Sequence, residues 1–475
     1  MAARPAPVLT SAYRVVLRLG IDNRPGMFAN VARVIGEQGG SLGVIDLVEA
    51  TPRVHVRDVT VDMPDEASAA RLAGALQGVD GIEVIAISDA AFRLHEGGKV
   101  EVRGRISVKN KEDLSLVYTP AVARVSSAIA QDPSKAWTLT ARANSVAIVS
   151  NGTAVLGLGD IGPLGALPVM EGKALLFRDL AGISAFPLVI DARTPEAVIE
   201  TVVRVAPSFG GINLEDIAAP ACFEIERELR KRLDIPVFHD DQHGTAIVVL
   251  AGLKNAAAVV GLALGDMRVV VLGAGAAGIG TARLLKRAGV GSILVVDRHG
   301  IVGPGRTDLT PDKKAVIGEL GIARDGSLAD AMKDAHAFIG LSGPNLLPLA
   351  LVRTMARPRI VFAMANPIPE IDPFLAGPEC DIVATGRSDH PNQVNNVLAF
   401  PGVFRGLLDA GATSVTDDVE LAAAEALASC VPPDLRAAEH ILPSPFDPQV
   451  VPAIAKAVAD RSRSSGLTRS GVTRS

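Results

Sequence analysis

The chain has 475 residues, too many for one hydrophobic core, so two or three domains are expected. Hydrophobic residues make up 48% of it and the net charge is −5, which supplies ample core and offers no basic surface to nucleic acid. Cys222, Cys380 and Cys430 stand far apart, without metal or disulfide spacing, and read as reduced packing residues of a cytoplasmic protein. The N-terminus shows no long apolar core of the signal-peptide kind. One nearly apolar stretch, residues 246–264, carries Lys254 and Asn255 at its centre, which predicts a buried core helix rather than a membrane span.

In chain order, residues 1–10 are small and Pro-rich and read as a mobile tail. Residues 13–19 alternate like a strand and Asp22-Asn23-Arg24-Pro25-Gly26 is a turn. Met27, Val31, Val34 and Ile35 then fall on one face of a helix over 27–38, which Gly39-Gly40 ends. Strands over 42–49 and 54–62, a helix over 67–76 and a strand over 82–87 complete a βαββαβ order, the split ferredoxin-like unit. That unit spans 1–90 and could serve only to assemble chains. Residues 91–105 read as a connector.

The region 106–248 reads as an α/β domain. Tyr118, one of two tyrosines, stands at the entry of a helix started by Pro120 and could be plain packing. An apolar strand covers 143–150 and Asn151-Gly152 turns the chain. Lys173 lies in an apolar run, where burial would lower its pKa and make it a usable base; the alternative is a lysine that snorkels from a helix. A strand over 187–190 and a helix over 195–205 lead to Gly211–Leu214, a strand that ends in Glu215-Asp216. A charged helix over 222–233 and a strand over 235–238 follow, ending in His239-Asp240-Asp241-Gln242-His243. Strand, helix, strand makes these strands parallel and brings both acidic pairs to one sheet edge. Carboxylates so crowded repel, and a hard divalent cation is their natural occupant. Either pair alone reads equally well as a helix cap or a solvated turn.

The region 249–460 opens with a strand over 268–272, then Gly273-Ala274-Gly275-Ala276-Ala277-Gly278, then a helix, then a strand ending at Asp297. That glycine pattern between strand and helix, with an acid nineteen residues on, predicts a Rossmann-type dinucleotide-binding domain. The glycines let the backbone approach a pyrophosphate at the helix N-terminus. Asp297 would accept from the adenosine ribose and repel a 2′-phosphate, favouring NAD over NADP, although Arg298 beside it could meet that phosphate. Further strands fall near 337–340 and 360–364, the latter followed by Asn366, and Asn395-Asn396 lie further on. Such amides can orient a substrate carboxylate or simply make turns. Helices over 416–427 and 448–459 close the fold, and residues 461–475, rich in Ser, Arg and Thr, read as a disordered tail.

Several segments together resemble the malic enzymes: Tyr118-Thr-Pro-Ala-Val-Ala123, Met170-Glu-Gly-Lys173, Asn213-Leu-Glu-Asp216, Phe238-His-Asp-Asp241, the loop Gly273–Gly280, Ala365-Asn-Pro367 and Asn395-Asn396. They occur in the family's order from about 105 to about 460, and the leading module resembles an ACT domain. Ala121 and Asn151 depart from the family's usual glycine and aspartate. The resemblance implies oxidative decarboxylation of malate with NAD. Glu215, Asp216 and Asp241 would hold Mg²⁺ or Mn²⁺. Lys173 would take the 2-hydroxyl proton, Asp240 would position Lys173, and Tyr118 would protonate the enol of pyruvate. Asn366, Asn395 and Asn396 would bind substrate. An amino acid or other metabolite would act at the ACT-like module, which pairs side by side and so implies at least a homodimer. The alternative is another nicotinamide-dependent dehydrogenase, for example of an amino acid, which need not have the carboxylate cluster.

Overall fold

The structure is a computed structural model that describes residues 13–469, so the expected tail at 1–10 and the last residues of the chain lie outside the described residues. The chain divides into two units, one ending at Glu101 and one beginning at Val102.

The first unit contains β1 (Arg14–Asp22), α1 (Met27–Glu37), β2 (Ser41–Ala50), β3 (Val54–Asp62), α2 (Glu66–Gln77), β4 (Ile82–Asp89) and α3 (Ala90–His95). Its sheet order is β2-β3-β1-β4, and the pairings of β1 with β3 and β4 and of β2 with β3 are antiparallel, which is the ferredoxin-like arrangement. Alternation along β1 sends Val15, Leu17, Leu19 and Ile21 into a core with Val31 and Ile35 of α1 and Leu72 and Leu76 of α2. Each such fully buried side chain contributes about 1.5–3 kcal/mol. Asp65 caps α2 by accepting from the backbone N–H of Ser68. The expected connector at 91–105 begins with structure instead: the Asp89 carboxylate accepts from the N–H groups of Ala91 and Phe92 and starts α3. The unit therefore runs past residue 90.

In the second unit α4 (Lys111–Val117), α5 (Val122–Gln131) and α6 (Ala136–Leu139) precede a parallel sheet of β5 (Ser145–Ser150), β6 (Ser184–Val189), β7 (Gly211–Leu214) and β8 (Val237–His239), in the order β6-β5-β7-β8. Its crossovers are α7 (Gly162–Ala181), α8 (Pro195–Val205) and α9 (Ala221–Arg232). After β8 a single π-helical turn, Asp240–Gly244, leads into α10 (Thr245–Val260).

The second sheet follows with β9 (Arg268–Leu272), α11 (Ala276–Arg287), β10 (Ser292–Asp297), β11 (Gly300–Ile301), α12 (Pro311–Leu320), α13 (Leu328–Met332), β12 (Ala337–Gly340), α14 (Leu349–Val352), β13 (Ile360–Ala363), α15 (Pro373–Ala376) and β14 (Ile382–Thr385). Its order, β11-β10-β9-β12-β13-β14, reverses direction at β9, as in a Rossmann-type sheet. The chain ends with α16 (Phe400–Ala410), α17 (Asp417–Ser429) and α18 (Val450–Ser464).

Two further expected boundaries do not survive. The division at 248 falls inside α10, an unbroken helix buried from Ala246 to Leu253, whose apolar residues belong to one continuous core shared with both sheets. The apolar stretch is thus a core helix, as its central Lys254 and Asn255 imply: the Asn255 amide donates to the carbonyls of Ala428 and Ile441. The expected disordered tail at 461–475 is ordered through its first half. The helix α18 continues to Ser464 because Ser462 is buried, and the Arg469 guanidinium lies 4.1 Å from the Trp137 ring centroid.

Candidate active site

The strand β7 ends at Leu214 and β8 at His239, paired in parallel register, so Glu215-Asp216 and Asp240-Asp241 emerge at one edge. Ligand atoms of Glu215, Asp216 and Asp241 lie within 4.8 Å of one another. Asp216 has φ of +52°, a backbone region that costs a non-glycine residue and recurs at functional positions. Its N–H donates to Asp241 Oδ2 at 2.9 Å, which locks the two acids together. Asp216 Oδ2 is buried without a hydrogen-bond partner, as is Oδ1 of Asp240. Burial, and then mutual repulsion, raises the pKa values of Glu215 and Asp216 above the usual carboxylate range; burial raises that of Asp241 and pushes Asp240 up to about 7. A triad of oxygen donors with an orphaned oxygen and uncompensated charge fits a hard divalent cation such as Mg²⁺ or Mn²⁺.

The helix α7 supplies the only cation the cluster holds among the described residues. Lys173 is 7% exposed; its Nζ donates to Glu215 Oε2 at 2.5 Å and to Asp240 Oδ2, and sits 4.5 Å from the Phe400 ring centroid. Snorkelling is thereby excluded. The expectation of a lowered pKa is also corrected: burial alone would lower it, but the charges of Asp240 and Glu215 outweigh burial and raise it. Asn213 completes this layer, donating to Glu215 Oε2 at 2.9 Å. Asn396 donates to Asp240 Oδ2 at 2.6 Å and so joins the cluster.

Other expected residues lie elsewhere. Asn395 spends its side-chain oxygen on the N–H of Val397, a cap on the short turn that follows. Asn366 follows β13 and is exposed; a Cβ on Gly157 would stand 2.6 Å from its carbonyl, so the loop after β5 lies against it. That same loop reaches the triad, since the N–H of Ala154 donates to the Asp216 carbonyl. Tyr118 terminates α4, is 65% exposed, and has no hydrogen bond to Lys173 or the carboxylates. The departures from the family pattern are mild: Ala121 has φ of −67°, and Asn151 donates to the Ala192 carbonyl.

The loop Gly273-Ala274-Gly275 joins β9 to α11 where the strand order reverses. A Cβ on Gly278 would stand 1.8 Å from the Gly273 carbonyl oxygen, so only glycine permits the tight turn. The helix α11 starts at Ala276 without a side-chain cap, leaving N–H groups of Ala276, Ala277 and Gly278 for an anion. Asp297 ends β10, but its carboxylate is engaged by Arg306 and Lys313, which the sequence reading did not anticipate.

Further residues escaped that reading. Glu370, fully buried, accepts from the N–H groups of Ser342 and Ala365 and pins the loops after β12 and β13. His239 is fully buried beside Asp241, 3.9 Å from Oδ2, with both ring nitrogens unpartnered. His243 lies between Glu226 and Glu420, which outweigh burial and raise its pKa to about 10. Glu226 and Glu420 gave no signal, because an acid on a charged helix reads as solvated.

A carboxylate triad with a buried lysine, facing a crossover sheet with a dinucleotide loop, defines a metal-assisted, nicotinamide-dependent oxidoreductase. The models "Malic enzyme, N-terminal domain" and "Malic enzyme, NAD binding domain" match residues 97–198 and 242–462. The chain is 49% identical to the NAD-dependent malic enzyme of Geobacillus stearothermophilus over 97% of its own length and 96% of that protein, a match that extends through the N-terminal unit. It is 48% identical to the bifunctional malic/malolactic enzyme of Bacillus subtilis, over 81% of this chain and 95% of that one. The solved malic enzyme from Pyrococcus horikoshii Ot3 is 45% identical with a TM-score of 0.76, covering 81% of this chain and 92% of that one. The chain belongs to the malic enzyme family.

Proposed function

We infer that the chain catalyses oxidative decarboxylation of (S)-malate to pyruvate and CO₂, with NAD as hydride acceptor and a divalent metal. The observation that carries this is the buried Lys173–Asp240–Glu215 contact beside the Asp216–Asp241 pair, in a chain 49% identical to an NAD-dependent malic enzyme. The test is NADH formation from malate with Mn²⁺ against a metal-free control. Malate-dependent turnover undiminished by EDTA would reject the metal, and no turnover on malate would reject the reaction.

In this reading Glu215, Asp216 and Asp241 hold Mg²⁺ or Mn²⁺. Bound there, the ion supplies Lewis-acid stabilisation of charge at the C2 oxygen. With the triad's charge neutralised, the pull on Lys173's proton weakens, and the amine becomes competent to take the 2-hydroxyl proton as hydride leaves C2. Asp240 holds Nζ in place and Asn396 holds Asp240. Asn366 and Asn396 orient the substrate carboxylate, with Asn395 shaping the turn beneath them. The Gly273–Gly278 loop carries the pyrophosphate of NAD and Asp297 the adenosine ribose.

After loss of CO₂, C3 must receive a proton, and Tyr118 is the proposed acid. Tyr118 adjoins an exposed apolar run that includes Val102, Ile106, Leu114 and Leu116. A second copy of the chain would cover that run and receive the phenol into its site. The family relatives and three free cysteines are in keeping with a cytoplasmic enzyme.

The N-terminal unit is proposed as an ACT-like sensor of an amino acid or similar metabolite. Gly26, at φ of +84°, starts α1 without a side-chain cap, so N–H groups there could meet a carboxylate. All ten residues of the edge strand β2 are exposed, which suits side-by-side pairing.

A further inference from the structure

The two histidines that flank the acidic pair are not used by the chemistry above, and one of them is built into a polar chain. His243 lies in the turn that carries Asp240 and Asp241. Its Nε2 lies 2.8 Å from Glu226 Oε1 on α9, and its Nδ1 lies 2.8 Å from Glu420 Oε1 on α17. A carboxylate only accepts, so Nε2–H donates to Glu226, while Nδ1 faces Glu420 as an ion-pair contact. The neighbouring Gln242 donates to Glu226 Oε2 at 3.0 Å, and Arg230 reaches Glu226 Oε1 at 2.8 Å. Arg230 in turn donates to the Val237 carbonyl in β8, the strand that leads into the turn. Glu226 is 6% exposed and Glu420 4%, so these contacts are sheltered from solvent.

The turn needs such a tie. A cavity of about 320 Å³, lined by Gln242, His243, Gly280, Leu284, Asp417 and Glu420, lies on its far side. A Cβ on Gly280 would stand 2.8 Å from the Gln242 carbonyl, so at that point the α11 backbone lies directly against the turn. The helix α17 is itself fastened to α11 by Arg287, at 3.2 Å from Asp417 and 3.6 Å from Asp418.

We propose that Glu226, His243 and Glu420 form a strut that positions the turn, so that Asp241 meets the metal and Asp240 meets Lys173. Glu420 touches none of the reacting groups and acts through His243; it is a positioning residue. The proposal rests on the metal assignment above. Outer partners of metal ligands typically set affinity and activity by 10- to 100-fold.

The test measures Mn²⁺ binding to the full chain by calorimetry, without substrate, beside steady-state kinetics. Glu420→Ala should weaken Mn²⁺ binding about tenfold and lower kcat, with KM for NAD held within about twofold. Glu420→Gln keeps an oxygen at the same reach beside Nδ1 and should bind Mn²⁺ within about threefold of wild type. Should Glu420→Ala not fold, Glu420→Asp withdraws the carboxylate by one methylene and should still cost about threefold or more in Mn²⁺ affinity. Wild-type Mn²⁺ affinity in the folded Ala or Asp variant, even with a lowered melting temperature, overturns the strut. Asp241→Asn is the reference: if it too binds Mn²⁺ as wild type, the metal assignment has failed instead.

Discussion

Arg306 grips Asp297 with both guanidinium arms, Nη1 to Oδ1 at 2.7 Å and Nη2 to Oδ2 at 3.2 Å, and Lys313 closes on Oδ2 at 2.6 Å. Burial opposes the carboxylate's charge, but these cations prevail and hold its pKa below the usual range. In the proposed reading Asp297 would offer its remaining lone pairs to a ribose while helping to neutralise Arg306 and Lys313, two cations that could otherwise attract a 2′-phosphate. Asp297→Asn should free Lys313 and loosen Arg306, which Asp308 still holds at 2.6 Å. Each charge-assisted hydrogen bond to a phosphate is worth about 1.5–3 kcal/mol, so the ratio of kcat/KM for NADP over NAD should rise about tenfold or more. A ratio unchanged in the variant would remove Asp297 from cofactor selection.

Metal binding should stabilise the fold as well as activate it. Glu215, Asp216, Asp240 and Asp241 share one cation, Lys173, and their raised pKa values record the deficit. Mn²⁺ at about 100 times its Kd should add about 2.7 kcal/mol to stability. Asp241→Asn should abolish that gain, raise the Mn²⁺ needed for half-maximal turnover, and leave the metal-free protein as stable or more so, because one buried charge is removed. Thermal melts with and without Mn²⁺ read this directly. A Mn²⁺ shift equal in variant and wild type rejects Asp241 as a ligand.

What the sequence made legible was local or periodic. The spacing of Met27, Val31, Val34 and Ile35 marks α1, and the acids after β7 and β8 follow from parallel pairing alone. Contacts between distant segments were not legible. Nothing near Asp297 announces Arg306 or Lys313 as its partners, and nothing near His243 announces Glu420 on α17. Lys173 was placed in an apolar run, but its pKa depends on Asp240 and Glu215, which only the fold sets against it. Residues 461–469 have the composition of a tail and are ordered by tertiary contact, Ser462 in the core and Arg469 on Trp137.

Lys173 and Tyr118 should be separable by chain. Lys173→Ala and Tyr118→Phe should each lower kcat by about 10²–10⁴-fold, with hydride transfer better preserved in the tyrosine variant. The lysine lies deep in the cluster and the tyrosine is exposed at the end of α4. If each site takes its lysine from one chain and its tyrosine from the other, a mixed dimer holds one site free of both substitutions. Co-expressing the two inactive variants should then restore about a quarter of wild-type activity. Activity no higher than the sum of the two single variants would mean that Tyr118 serves its own chain or no site at all.

The N-terminal unit should be removable, and the structure moves the cut. A chain beginning near residue 90 would carry α3 without the β1 and β4 strands against which Asp89 starts it, so the cut belongs at Val102, where the second unit begins. All the proposed catalytic and metal residues lie beyond that point, and the second unit has its own continuous core. A chain from Val102 should therefore turn over malate within about fivefold of the full chain, as coupling energies near 1 kcal/mol allow. It should lose any response to an effector. Amino acids screened by thermal shift should include one that stabilises the full chain and not the shortened one, and that ligand should change the affinity for malate by about 5- to 150-fold in the full chain only. Asp22, at 2.9 Å from Arg24, and the uncapped start of α1 at Gly26 form the turn to mutate next. If no ligand distinguishes the two chains and their kinetics agree, the unit is for assembly rather than sensing.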